Sequence, residues 1–264
     1  MTIAALGHVT RDVVAGSAPR PGGGVFWSTR ALAHLGVHAV VSAACSADDR
    51  ASLLPPLEAF GLPVTWIESS ATTAYSFHYE GDRRIMWQDA VGDPWSPEQA
   101  VAAVGEATWI NVCALTRTDF PPETLAALAR GRRVLLDGQG LVRARETGPL
   151  QLDADFDPAL LEHVAILKLA EEEAEVILGR VDASTVATLG VPEVVVTYGA
   201  RGSVVFADGR ADEVAAWPVV RDPTGAGDGF AAAYLAARAG GHAPAAAARR
   251  ATALVGALLM GRAA

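Results

Sequence analysis

The sequence predicts an α/β protein built on a doubly wound, mostly parallel β-sheet flanked by helices. Two observations predict this fold. Short apolar runs typical of buried strands alternate with stretches that favour helices, and polar or glycine-rich residues follow one apolar run after another. In a parallel sheet these polar loops meet at the carboxyl ends of the strands, where ligands bind. The chain shows neither an internal repeat nor a linker, so we expect a single domain over residues 1–264.

The composition describes a globular protein and argues against several functional classes. Hydrophobic residues make up 51% of the chain and charged residues 19%. The formal net charge of −9 argues against a nucleic-acid-binding surface, and no apolar run approaches the roughly 18 residues of a membrane span. The amino terminus lacks the pattern of a secretory signal, so we expect a cytoplasmic protein. Cys45 and Cys113 lie isolated in apolar runs, which favours reduced core thiols over a disulfide or a metal site.

The first part of the chain begins the alternation of strands and helices. Residues 3–6 predict a buried strand, and Asp12 follows it as a candidate for binding substrate hydroxyls. The alternative is a loop carboxylate that caps a turn. The run Gly22-Gly23-Gly24 would let a ligand lie directly on the backbone. The next predicted elements are a helix over 25–35, a strand over 37–44 and a helix over 48–60.

Residues 64–90 interrupt this alternation. Three β-rich runs show alternating apolar and polar side chains, and Glu80-Gly81-Asp82 joins the last two as the turn of a hairpin would. We interpret this segment, together with residues 9–21, as a small β flap with one face in water. Such a flap would exclude water from a site beneath it.

The alternation returns in the second half of the chain. Strands are predicted over 109–112, 134–136, 165–167 and 193–197, with helices over 121–129 and 171–178. A β excursion over 203–206 and 213–215 precedes two alanine-rich helices, at about 227–239 and 244–260. Polar or glycine-rich residues directly follow the strands, namely 137–140, Lys168 and 198–202.

The most informative stretch is Asp222-Pro223-Thr224-Gly225-Ala226-Gly227-Asp228, which precedes the first alanine-rich helix. Thr224 is a good N-cap, and the glycines leave the amides of the first helical turn uncovered. These amides lie at the positive end of the helix dipole, so the stretch predicts an anion site that suits phosphate. Asp228 would lie beside the anion, where a carboxylate can take a proton from an attacking hydroxyl. The chemistry indicated is phosphoryl transfer to an alcohol.

Two other phosphate-binding motifs do not fit these glycines. A P-loop requires a lysine directly after its last glycine, and the chain's only lysine, Lys168, lies far from such a pattern. A dinucleotide-binding fingerprint requires a third small residue where this chain has Phe230. A structural alternative stays open on this stretch alone: a tightly packed helix that carries Asp228 in its first turn because of the dipole.

The chain resembles the ribokinase (PfkB) family of carbohydrate kinases over nearly its whole length. Residues 222–228 match the family's D-[TP]-x-G-A-G-D signature, and Gly22-Gly23 with Leu35-Gly36 match the spacing of its amino-terminal signature. Thr197-x-Gly199-x-x-Gly202 resembles the family's nucleotide-phosphate loop. The resemblance implies a ribokinase-like fold with the flap as a lid. It also implies an ATP-dependent kinase that transfers the γ-phosphoryl group to a hydroxyl of a small sugar, cyclitol or nucleoside.

The resemblance further implies roles at the reacting and acceptor ends of the site. Asp228 would be the general base. The anion hole for the transferring phosphoryl group would be formed by the amides of Gly225, Ala226 and Gly227. The acceptor's other hydroxyls would be held by Asp12, Gly22 and Gly23.

On the donor side, the resemblance implies that ATP phosphates lie along Thr197, Gly199 and Gly202, with the adenine between the last two helices. Asp137 and Arg143 resemble the family's Asp-x-Asn-x-Arg element, with stretched spacing and Gln139 in place of Asn. Glu173 belongs to the N-x-x-E element and would organise Mg²⁺ through water. Whether a monovalent cation activates the enzyme, and whether two flaps pair in a homodimer, stays open.

Two residues depart from the family pattern. Trp27 stands where the amino-terminal signature has Asn, so it would stack on an acceptor ring, fill the space of a larger acceptor, or simply belong to the core. Ala170 stands where the N-x-x-E element has Asn. Both changes remove a polar side chain. They favour, as the alternative to an active kinase, an inactive protein that binds a sugar or nucleoside on a kinase fold.

Overall fold

The structure is a computed structural model that describes residues 2–15, 17–80, 83–216 and 222–261. Within these ranges the strands are β1 (Ile3–His8), β2 (Thr10–Val14), β3 (Arg20–Gly22), β4 (Ala39–Cys45), β5 (Val64–Glu68), β6 (Ala74–Glu80), β7 (Arg83–Ala90), β8 (Trp109–Cys113), β9 (Arg133–Asp137), β10 (Gly148–Pro149), β11 (Ile166–Ala170), β12 (Glu193–Thr197), β13 (Ser203–Ala207) and β14 (Arg210–Val214). The helices are α1 (Gly24–His34), α2 (Ala47–Glu58), α3 (Pro97–Val104), α4 (Pro122–Ala129), α5 (Gln139–Val142), α6 (Glu171–Leu178), α7 (Ala183–Ala187), α8 (Ala226–Ala239) and α9 (Pro244–Leu259).

The larger of two sheets contains nine strands in the order β14-β13-β12-β11-β9-β8-β1-β4-β5. In this sheet order, neighbouring strands from β12 through β1 to β5 pair in parallel. Strands β13 and β14 form a hairpin that adds to β12 in antiparallel orientation at one edge. The predicted doubly wound, mostly parallel sheet is therefore confirmed. The chain runs outward from β1 to β4 and β5, then returns to β8 on the other side of β1. This reversal creates a crevice at the carboxyl ends of β1 and β8, where ligands bind in such folds.

Alternate side chains of the central strands enter two separate cores. In β1, Ile3 and Ala5 pack with α1, α8 and α9, whereas Ala4 and Leu6 pack with α3 and α4 on the opposite face. Helices cover both faces, so these strands consist of continuous apolar runs and not of an alternating pattern. Among the described residues, no helix has both the length and the apolar character that crossing a membrane requires.

The smaller sheet is the flap, with strand order β10-β7-β6-β2-β3. Assigning residues 64–67 to the flap is wrong, because they form β5, which pairs in parallel with β4 at the edge of the larger sheet. An edge strand covered on one side shows the same apolar–polar alternation as a flap strand, so the pattern could not distinguish them. The predicted turn residues Gly81 and Asp82 lie outside the described residues.

Candidate active site

A cavity of about 450 Å³ lies at the carboxyl edge of the larger sheet, between the flap and the first turns of α1, α6 and α8. It brings together most of the predicted site residues: Asp12, Gly23, Trp27, Arg143, Glu173, Thr197, Gly199, Gly225, Ala226, Gly227 and Asp228. Three other predicted site residues, Gly22, Asp137 and Gly202, are not among the described residues that line this cavity. Most residues predicted from the sequence to form a site therefore line one cavity at this edge of the sheet.

The amino-terminal end of α8 forms one wall of the cavity. Gly225 is the N-cap residue, in the left-handed conformation with φ 76°. The prediction that Thr224 caps the helix is wrong, because its hydroxyl and amide both donate to Oδ1 of Asp222, at 2.6 and 3.0 Å. The amide of Ala226 donates to the carbonyl of Pro223 at 2.9 Å, so it is not free to form part of an anion hole. The predicted anion hole is left with the amides of Gly225 and Gly227.

Asp228 lies half-buried in the first turn of α8. Its Oδ1 accepts a hydrogen bond from Nε2 of Gln139 at 3.3 Å. Loss of surrounding water and the nearby Asp137 carboxylate raise the pKa of Asp228 to about 6, against the opposing charges of Lys168 and Arg143. A carboxyl group with this pKa is mostly ionised at neutral pH, yet it can bind a proton readily.

Lys168 and Asp137 form a buried ion pair beneath the α8 terminus. The lysine Nζ lies 3.3 Å from Oδ2 of Asp137, and both side chains are about 5% exposed. Burial opposes the charge of Lys168, but the carboxylates of Asp137 and Glu173 outweigh it and raise the lysine pKa. A methyl group at Gly227 would lie 3.0 Å from Nζ, so the glycine lets the ammonium approach the helix terminus. The Asp137 carboxylate therefore fixes the Lys168 ammonium close to the predicted anion site.

Glu173 is buried at the first turn of α6. Its Oε2 accepts a hydrogen bond from the amide of Ala170 at 2.7 Å, which closes the helix terminus that lacks an asparagine. Burial raises the pKa of Glu173 to about 7, although Lys168 acts in the opposite direction. Among the described residues, no group of three or more His, Cys, Asp and Glu side chains is arranged to hold a metal ion. Glu173 thus lines the cavity without being part of a preformed cluster of metal ligands among the described residues.

Asp12, in strand β2 of the flap, forms the opposite wall. Its Oδ1 accepts a hydrogen bond from the Thr10 hydroxyl at 2.7 Å, and the residue is 7% exposed. Gly22 was predicted to contact the acceptor, but it lies behind Asp12: a methyl group there would be 2.1 Å from Oδ2. Gly23, the N-cap of α1 with φ 84°, reaches the cavity instead. Gly22 therefore makes room for the carboxylate and does not line the site.

Trp27 packs its indole ring directly against Gly225. A methyl group at Gly225 would lie 2.2 Å from Cδ2 of Trp27. The ring also contacts Phe26 edge-on, with the centroids 5.1 Å apart, and lines the cavity. Trp27 therefore supports the N-cap of α8 as well as forming an apolar part of the cavity wall.

A second cavity, of about 360 Å³, lies between α8 and α9 and adjoins the first. Its lining is mostly apolar and includes Phe230, Val255 and Leu259. The predicted donor loop separates the two cavities, since Thr197 and Gly199 line both. Gly202 has φ 104°, and a methyl group there would lie 2.1 Å from the Val214 carbonyl, so the turn requires glycine.

The lining residues that the sequence interpretation missed as functional candidates include Lys168, Tyr75, Met86 and Leu115. A signal for Lys168 was present, because a lone lysine directly after a predicted buried strand, if itself buried, requires a partner for its charge. Tyr75 and Met86 face the cavity from adjacent flap strands, and only the register of that hairpin reveals it.

Sequence comparison relates this chain to known kinases. A family model described as pfkB family carbohydrate kinase matches residues 16–262. An inositol 3-kinase of Zea mays is 37% identical over 121 residues, which cover 44% of this chain and 30% of the maize protein. The match thus spans less than a third of that relative.

Solved structures give similarity over the whole fold. A pyrophosphate-dependent kinase in the ribokinase family, in a sulfate complex, superposes with a TM-score of 0.86 at 26% identity, covering 98% of this chain and 95% of the other. A structure of a pyrophosphate-dependent kinase in that family, complexed with a pyrophosphate analog and myo-inositol, has a TM-score of 0.85 with the same identity and coverage.

Proposed function

We propose a reaction for this chain, which belongs to the pfkB family of carbohydrate kinases: transfer of a phosphoryl group to a hydroxyl of a small cyclitol or sugar. The observation that carries the proposal is the Asp228 carboxylate. It lies in the first turn of α8, faces the cavity and has a pKa of about 6. Such a group can take the proton of an attacking hydroxyl at neutral pH.

A cyclitol is the acceptor class that we favour. The maize relative is an inositol 3-kinase, and one similar structure contains myo-inositol. The acceptor end of the cavity combines the Asp12 carboxylate with the apolar side chains of Trp27, Met86 and Leu115. A cyclitol presents hydroxyls around its edge and C–H groups on its faces, which suits a wall of this mixed character.

The residues would share the reaction as follows. Asp12, oriented by Thr10, holds acceptor hydroxyls that do not react. Asp228 removes the proton from the hydroxyl that does react. The amides of Gly225 and Gly227, with the Lys168 ammonium behind them, stabilise the negative charge of the transferring phosphoryl group.

ATP is the donor that we propose. The apolar cavity between α8 and α9 begins where the donor loop ends, so an adenine in it would leave its phosphates directed toward Lys168. Pyrophosphate is the second candidate, favoured by the two pyrophosphate-dependent structures that superpose on this chain. Both donors present phosphate groups to the same loop, and they differ in whether the apolar cavity is used.

Mg²⁺ fits the residues present at the donor end. Glu173 and Asp137 supply carboxylate oxygens, which suit this ion. Burial first, and the nearby Asp137 carboxylate second, raise the pKa of Glu173, and a bound cation would favour its ionised form. With so few protein ligands, Mg²⁺ would be held largely through water and the donor phosphates. When bound, the ion would offset the charge of the donor phosphates.

The test is a turnover assay on the purified protein with ATP or pyrophosphate, Mg²⁺, and a panel of myo-inositol, hexoses and nucleosides. We expect phosphorylation of myo-inositol or a related cyclitol with ATP. Thermal unfolding is measured in parallel, since a native-state ligand at a hundredfold excess over Kd stabilises by about 2.7 kcal/mol. Stabilisation by an acceptor without turnover from either donor would overturn the proposal and support the inactive binding protein that Trp27 and Ala170 favour.

A further inference from the structure

The flap is bonded along its β7 strand to the segment that follows Arg143. Gln88 of β7 is 1% exposed, and its Nε2 donates to the carbonyls of Ala144 at 3.1 Å and Glu146 at 2.7 Å. Further along, β10 pairs antiparallel with β7, and the Leu150 amide donates to the Met86 carbonyl at 2.9 Å. Residues 144–150 therefore belong to the flap by their hydrogen bonds.

Arg143 lies where this segment meets the central body. Its carbonyl accepts a hydrogen bond from the Arg117 amide at 3.0 Å, which fixes the backbone to the loop after β8. Its guanidinium lies 5.9 Å from the ring centroid of Tyr75 in flap strand β6. The Tyr75 hydroxyl in turn donates to Oε1 of Gln88 at 3.1 Å. The backbone of Arg143 is thus held by the body, and its side chain by the flap.

The Arg143 side chain has hydrogen-bonding capacity that no described residue uses. Its Nε is buried and has no hydrogen-bond partner among the described residues. The guanidinium lines the same cavity as Asp228 and lowers the pKa of that carboxyl. A buried donor without a partner is costly unless a ligand satisfies it, and a phosphoryl oxygen would do so.

We infer that Gln88 is a positioning residue that couples the seating of the flap to the placement of Arg143 against the transferring phosphoryl group. Its amide satisfies three partners at once, Tyr75 and the carbonyls of Ala144 and Glu146, so it specifies one arrangement of flap strand and arginine segment. The inference rests on the proposed function and adds to it a residue that does not touch the reactants.

The test is a double-mutant cycle of Gln88→Leu and Arg143→Met, measured as kcat and KM with the phosphorylated acceptor. Gln88→Leu is expected to lower kcat about 10- to 100-fold, because misplacing a reacting group costs about this much. In the Arg143→Met background the same change should lower kcat less than about twofold, since coupled residues are not additive. Ser76→Ala is the matched control, because it removes a hydrogen bond to Asp89 between the same two flap strands and should leave kcat unchanged.

Fully additive losses in the cycle would overturn the inference while leaving the kinase proposal intact. A wild-type protein without turnover would remove both. If the leucine variant fails to fold, as thermal unfolding would reveal, Gln88→Glu replaces it in the cycle. Glutamate has nearly the same size and keeps an acceptor for Tyr75, but it loses the two donors to the arginine segment.

Discussion

Buried charged groups lie at both ends of helix α8, but the two ends differ in how far these groups are paired within the protein. At the carboxyl-terminal end, Oε1 of Glu193 accepts hydrogen bonds from the Tyr234 hydroxyl at 2.6 Å and from Nε of Arg238 at 2.9 Å. The remaining carboxylate oxygen lies 2.9 Å from a second nitrogen of Arg238. Every charge at this end has a protein partner.

At the amino-terminal end the charges are not balanced by the protein. The carboxylates of Asp137, Glu173 and Asp228 share the site with the cations of Lys168 and Arg143. Two of these carboxyl groups have raised pKa values, and Nε of Arg143 lacks a partner among the described residues. The charged groups at the carboxyl-terminal end of α8 are thus paired within the fold. At the amino-terminal end, ligands would supply the partners that the charged side chains lack.

The largest expected effect comes from removing the proton acceptor at the unbalanced end. Asp228→Asn should lower kcat by about 10² to 10⁴, the usual range for general-base catalysis, while donor binding stays nearly intact. Burial raises the pKa of Asp228 to about 6, so the ionised group destabilises the fold above that pH. The variant should therefore unfold at the same or a higher temperature. Steady-state kinetics and thermal unfolding measure both effects, and near-normal turnover would contradict the assignment.

The next largest effect, on the free energy of unfolding, should come from removing the ion pair between Arg238 and Glu193 at the carboxyl-terminal end of α8. Arg238→Met leaves the Glu193 carboxylate buried without its cation, and such a loss costs about 3 to 5 kcal/mol of unfolding free energy. Denaturant unfolding measures this cost, and kcat of the folded fraction should be nearly unchanged because the change is far from the cavity. Arg30→Met, on the neighbouring helix α1 where the side chain is half-buried, serves as the control. If Arg238→Met lost turnover without losing stability, the carboxyl-terminal end of α8 would not have the purely stabilising role that the comparison assigns to it.

The smallest expected effect is on the pH dependence of turnover, which reflects the pKa of Asp228 at the amino-terminal end of α8. The rate should fall as pH drops below about 6, because Asp228 becomes protonated. Gln139→Leu removes a hydrogen bond that lowers the pKa of Asp228, so the acid limb of kcat/KM should move to higher pH. The shift should be about one pH unit or less, since a hydrogen bond is worth about 1 kcal/mol and one unit is 1.36 kcal/mol. A shift toward lower pH would contradict the assigned contact.

The sequence predicted the elements with strong local patterns. Helix α6 and strand β12 have the predicted bounds, because a helix with an acidic first turn and an apolar run between turns are strong local signals. Other features depend on partners distant in the chain. The Thr224 hydroxyl could cap α8, yet it bonds to Asp222; and the two-residue strand β10, which ties the Arg143 segment to the flap, has no pattern of its own.

The buried position of Lys168 has a consequence for chemical labelling. It is the only lysine among the 264 residues, and its side chain is 5% exposed beside the amino-terminal end of α8. Acylating reagents, which on most enzymes react with many surface lysines, would here find one ε-amine. Because the surrounding carboxylates raise the pKa of this amine and keep it protonated, the folded protein should resist acylation at Lys168. Labelling of Lys168 would therefore report that the structure around it has opened, and it requires no engineered tag.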